Sequence, residues 1–128
     1  MDGRRTLMTA AVLLALATAL GALGAHLLRG QLPPSRLQIY ETGVRYHFLS
    51  ALGLLAIGAV LRVADSAPLR GAAVALLIGI TLFSGSLYLL AFDYTLGMPR
   101  LIGIATPLGG LALISGWLLC AAAFVRRA

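Results

Sequence analysis

The chain of 128 residues is 60% hydrophobic and 11% charged, where soluble domains carry about 25% charged residues. That excludes an ordinary water-solvated surface, and the length leaves room for one domain with no separate soluble module. The net charge of +6 comes entirely from arginine, placed singly or in pairs at the ends of apolar stretches. Such placement fits headgroup anchoring and topology signalling, and it argues against nucleic acid as a partner.

A helix needs roughly 20 apolar residues to cross a bilayer. Four stretches qualify, at approximately 6–28, 44–61, 69–92 and 101–125. None alternates as barrel strands do, so each is predicted to be a transmembrane helix. The expected fold is an all-α membrane protein, a four-transmembrane-helix bundle forming a single domain with the bilayer as its main partner. In the first stretch, Arg4-Arg5 before an apolar run ending in Ala22-Leu23-Gly24-Ala25 also fits a cleavable signal peptide. The run is long for a signal sequence, and small residues continue past the cleavage point, so an uncleaved helix is the expectation.

Between the first two stretches, Pro33-Pro34 stops helix one. Ser35-Arg36-Leu37-Gln38 then matches a capping box. A short amphipathic helix over about 36–43 is predicted to lie at the interface and to bend near Gly43 into helix two. Glu41 and Arg45 form a correctly ordered i,i+4 pair on it. The loop from Arg62 to Pro68 is short, and the one from Asp93 to Arg100 holds Gly97 and Pro99 and reads as a turn. Arg4, Arg5, Arg62, Arg70, Arg126 and Arg127 lie at one end and Arg29, Arg36, Arg45 and Arg100 at the other. Six against four places both termini in the cytoplasm under the positive-inside rule.

In the third stretch Thr81, Ser84, Gly85 and Tyr88 share one helical face. In the fourth, Pro107 follows Thr106 and frees the carbonyl of Gly103. That carbonyl is expected either to be satisfied by a neighbouring hydroxyl at a plain kink or to bind a ligand facing the stripe of helix three. Glycine and serine positions, among them Gly24, Gly79, Gly109 and Gly116, supply surfaces for close helix packing. Cys120, the one cysteine, reads as a small packing residue.

His26 at the end of helix one and His47 at the expected start of helix two fall on the same membrane side. Ionisable residues near a span point to function by default. Three readings compete for them. One is interfacial anchoring, with Glu41–Arg45 and Asp93–Arg100 as ion pairs. Another is a site for an anionic headgroup or quinone-like molecule using His26, Tyr40, Arg45 and His47. The third is metal or haem ligation, for which no further ligand stands at a recognisable spacing. No nucleophile elbow, phosphate loop or zinc-protease helix occurs, so neither an enzyme nor a cofactor is expected.

Four blocks together resemble the YgdD-like family of small bacterial inner-membrane proteins, a domain of unknown function with relatives in animal mitochondria. They are Gly21-Ala22-Leu23-Gly24-Ala25-His26, Glu41-Thr42-Gly43-Val44-Arg45-Tyr46, Phe83-Ser84-Gly85-Ser86-Leu87-Tyr88 and Thr106-Pro107-Leu108-Gly109-Gly110. The resemblance implies four spans and an inner-membrane location, and it implies no reaction. One departure stands out. Where the family usually has glutamine and then, three positions on, histidine, this chain has His47 and Ser50. That counts against a strict ligand role for His47 and favours His26. The expected function is a non-enzymatic packing, accessory or assembly partner, as a homo-oligomer or within a larger membrane complex. The alternative is a small-molecule, lipid or ion-binding protein, for example an oligomeric transporter component. Its site would draw on His26, Tyr40, Glu41, Arg45, His47, Ser84 and Thr106.

Overall fold

A computed structural model describes residues 1–92 and 99–125. Its long helices are α1 (Gly3–His26), α2 (Pro34–Val63), α3 (Ala67–Gly79), α4 (Gly85–Ala91) and α5 (Pro99–Val125). A 3₁₀ turn, Leu28–Gly30, follows α1, and a π-helical turn, Ile80–Ser84, joins α3 to α4 into one continuous third span. Four segments are long and apolar enough to cross a membrane: Gly3–Gly30, Pro34–Val63, Ala67–Ala91 and Pro99–Val125. The described residues contain no strand.

The helices pack in a row. α1 lies along α2, α2 meets the third span, and the third span meets α5. The two inner spans therefore carry the core: 39% of the most apolar window of each is buried, against 17% for α1 and 22% for α5. Leu54, Leu69, Leu76 and Ile80 fill its apolar half, with Leu113 of α5 against them. Tyr40, Leu28 and Ala91 form a second cluster towards the end where α2 starts.

Three sequence expectations change. The capping box at Ser35 and Gln38 does not form, because the helix starts at Pro34 and has no side-chain cap. Proline suits a first helical position, its missing N–H being one of the unpaired donors there anyway. The Pro33 carbonyl instead accepts from the N–H groups of Arg36 and Leu37 at 3.0 Å each. Residues 36–43 are helical but run without a break into the second span, giving one helix of 30 residues. Gly43 is a packing position inside it, not a bend. The Glu41–Arg45 pair gives way to a longer-range one, with Glu41 3.8 Å from Arg29. Asp93, Gly97, Arg126 and Arg127 lie outside the described residues, and with them the Asp93–Arg100 pair.

The π-helical turn was not foreseen. One extra residue in a turn rotates everything after it by about 100° relative to an uninterrupted helix. The expected stripe is split accordingly. Thr81 is exposed and bonds the Leu77 carbonyl of its own helix at 3.0 Å. Ser84 is buried against α2, and it is Ser86 that reaches α5.

Candidate functional site

Because α2 begins at Pro34, His47 lies about 20 Å along its axis, close to the middle of the span. The expectation that it shares a membrane face with His26 is thereby overturned. His26 is exposed at the last position of α1, whereas His47 is 2% exposed inside the bundle. An imidazole in the middle of a span must find partners within the protein, since lipid offers none.

Gly43 makes room for those partners. A Cβ there would stand 2.9 Å from the Tyr88 ring, so a larger residue would force the third span away from α2. Its carbonyl accepts from the Ser84 hydroxyl at 2.8 Å. Tyr88 then reaches His47, with its hydroxyl 3.0 Å from Nδ1 and the tautomer setting which of the two donates. Tyr40 sits beside this pair. Its ring is 5.5 Å from that of Tyr88 and 5.9 Å, edge-on, from that of Phe92. Its hydroxyl donates to the Leu20 carbonyl of α1. Gly24 admits the ring, since a Cβ at that position would lie 2.7 Å from it. One aromatic cluster thus ties α1, α2 and α4 together.

Across the third span, the Ser86 and Thr106 hydroxyls are 2.6 Å apart. Ser86 also bonds the Phe83 carbonyl at 2.9 Å, and Thr106 lies 3.5 Å from the Ile102 carbonyl. Beside this pair runs an apolar groove of 670 Å³ whose lining includes Leu82, Tyr88, Ile102 and Leu108. A second groove, of 460 Å³, lies between Tyr46, Phe83, Gly110 and Trp117.

Of the seven candidate residues, the structure gathers Tyr40, His47 and Ser84 around Gly43, with Thr106 on the far side of the same span. His26, Glu41 and Arg45 stay exposed. Ser86 and Tyr88 complete the polar set. Tyr88 carried a signal in the stripe of helix three, but Ser86 carried none, because its facing depends on the π-helical turn. One atom stands out. His47 Nε2 is fully buried and finds no hydrogen-bond partner among the described residues, although the Leu13 backbone of α1 lies near the ring. Among the described residues no three His, Cys, Asp or Glu side chains come together as a metal site would need.

Residues 20–110 match the family described as "Protein of unknown function (DUF423)". This region holds the aromatic cluster and the Ser86–Thr106 pair. The UPF0382 membrane protein YwdK of Bacillus subtilis is 39% identical over 112 residues, which is 87% of this chain and 88% of the relative. The UPF0382 membrane protein SH2409 of Staphylococcus haemolyticus is 40% identical over 99 residues, 77% of each chain. The UPF0382 inner membrane protein YgdD of Escherichia coli K12 is 32% identical over 126 residues, 98% of this chain and 93% of the relative. No solved structure matches.

Proposed function

The chain belongs to the DUF423 family of membrane proteins of unknown function, and from that premise we propose that it is a non-catalytic packing subunit of the inner membrane. It associates there with further copies of itself or with a larger membrane complex. The inner-membrane assignment is supported by the name of the Escherichia coli relative. One observation carries the packing role: the hydroxyls of Tyr40, Ser84, Ser86, Tyr88 and Thr106 at the centre of the bundle bond one another, the His47 ring or backbone carbonyls of neighbouring helices. Hydroxyls bonded in this way hold helices together. Few residues of the outer spans α1 and α5 are buried inside the bundle, which leaves faces for association through small residues and shape.

The test is cross-linking in native membranes, followed by extraction in mild detergent. Oligomers or a defined heteromeric complex are expected, with the same species surviving extraction. A lone monomer by both measurements overturns the reading.

A second reading, a small-molecule, lipid or ion-binding protein, draws on the unpartnered Nε2 of His47. A molecule of defined mass that stays with the purified protein and is released by His47→Leu favours it over the first.

A further inference from the structure

Four arginines gather where α1 begins, α2 ends and α3 begins: Arg4, Arg5, Arg62 and Arg70. Two acids share that end, and both are engaged. Asp2 accepts from the Arg5 backbone N–H at 2.8 Å and lies 3.5 Å from Arg5 Nε. Asp65 pairs with Arg70 and accepts from the Ser66 N–H at 2.9 Å. Arg4 and Arg62 have no ion-pair partner among the described residues.

Backbone packing brings Arg4 and Arg62 to one side of the bundle end. Gly3 is buried, and a Cβ there would stand 2.9 Å from the Leu61 carbonyl carbon and from the Arg62 nitrogen. The first turn of α1 therefore lies directly on the last turn of α2. Beside that contact is a cavity of 640 Å³ lined by Arg4, Arg5 and Arg62 together with Met8 and Leu61, and also by Asp2, whose carboxylate is engaged by Arg5. It joins positive charge to apolar side chains at a membrane face.

That combination selects its ligand by chemistry. Guanidinium groups grip phosphate oxygens through paired N–H donors, and basic pockets between transmembrane helices take anionic lipid headgroups. The Met8 and Leu61 side chains offer contact for the first methylenes of an acyl chain. A zwitterionic headgroup would bring its own cation towards three arginines and one carboxylate already engaged by Arg5, so it fits less well. We propose that this cavity binds the phosphate of an anionic phospholipid, held chiefly by Arg4 and Arg62. The inference stands apart from the packing role, since it concerns the opposite end of the bundle from the aromatic cluster.

The experiment is native mass spectrometry of the full chain in detergent. It is titrated separately with phosphatidylglycerol, with phosphatidylcholine of the same chains, and with inorganic phosphate. The unaltered protein is expected to retain phosphatidylglycerol in preference to phosphatidylcholine. Arg4→Gln with Arg62→Gln should weaken phosphatidylglycerol retention by roughly tenfold or more, at about fivefold per arginine. Arg29→Gln with Arg100→Gln removes the same charge at the other end and should leave retention unchanged. Both pairs are exposed, so circular dichroism should report intact helices in each. Equal retention of the two lipids, or undiminished retention in the Arg4/Arg62 variant, overturns the proposal. So does inorganic phosphate binding that depends on Arg4 and Arg62 and displaces the lipid, because the site would then belong to free phosphate.

Discussion

The third span is bonded on its two sides in different ways. Towards α2 it presents Ser84 and Tyr88, which make hydrogen bonds and aromatic contacts around Gly43. Towards α5 it relies mostly on close approach. A Cβ on Gly109 would collide with the backbone of Phe83, and one on Gly116 would lie 2.8 Å from the Leu76 side chain. In lipid no hydrophobic force pulls helices together, so association comes from van der Waals packing and hydrogen bonds. Both interfaces use both sources, with hydrogen bonds weighing more towards α2 and close packing more towards α5. Fit without adjustable partners is stiff, whereas a polar clasp has side chains that can rotate.

The largest effect is therefore expected on the α5 side. Gly109→Ala places a methyl group against backbone that cannot turn aside, and it should destabilise the bundle by about 2–3 kcal/mol. Gly103→Ala, on the same helix, meets no atom within 4 Å and should be neutral or slightly stabilising. Unfolding of both variants in mixed micelles measures the difference. Equal effects would show that the close approach of α5 to the π-helical turn contributes little.

On the α2 side the losses should be smaller, and their order is informative. Tyr88→Phe deletes the partner of His47 Nδ1 and leaves both ring nitrogens unbonded. Interhelical hydrogen bonds in membranes are worth about 0.6 kcal/mol, with an upper range near 2, and a stranded polar group adds its own cost. A loss of about 1–2 kcal/mol is expected. His47→Leu removes the unpartnered Nε2 along with the bonded nitrogen, so it should cost less than Tyr88→Phe. The reverse order would mean that Nε2 holds a partner worth keeping, which would strengthen the ligand-binding reading. Weaker still is the Ser86–Thr106 pair on the α5 side, which sits beside the 670 Å³ groove. A double-mutant cycle of Ser86→Ala and Thr106→Ala should give a coupling near 0.6 kcal/mol.

These differences also mark what the sequence could reveal. The four spans were legible because crossing a bilayer demands long apolar runs that nothing else in a small protein mimics. Tyr40, His47 and Ser84 stood out by residue type, since polar groups are costly in lipid. Their depth was not legible. Arg36, Gln38 and Glu41 made the start of α2 look interfacial, and an extra ten residues of helix moved His47 from the surface to mid-span. The facing of the third span was not legible either. Its π-helical turn lies between Gly79 and Gly85 with no proline to announce it, and it reassigns Thr81, Ser84 and Ser86 to three different surroundings. The cavity at Arg4 and Arg62 was read as topology signal alone, because only the Gly3 contact brings the two ends together.

The smallest expected effect comes from a polar contact that water can replace, and it sets the baseline for both interfaces. Asp2 caps α1 outside the membrane. Its carboxyl is held below its ordinary value of 3.8, first by the hydrogen bond from the Arg5 backbone N–H, with the charges of Arg5 and the N-terminus adding to it. A depressed carboxyl contributes stability that is complete above its unfolded pKa and is lost as pH falls through the folded one. The stability of α1 should accordingly stay flat from neutral pH to about pH 4 and soften below it, and Asp2→Ala should remove that dependence. The carbon-13 shift of the Asp2 carboxyl, followed from neutral pH to about pH 2, reads the titration directly. Arg5→Gln should move the midpoint only part of the way back, because the leading cause is a backbone group that the substitution leaves in place. A full return would assign the depression to the exposed ion pair instead. Global unfolding in micelles should barely register either change, since solvent stands ready to replace an exposed contact, as it cannot at Tyr88 or Gly109.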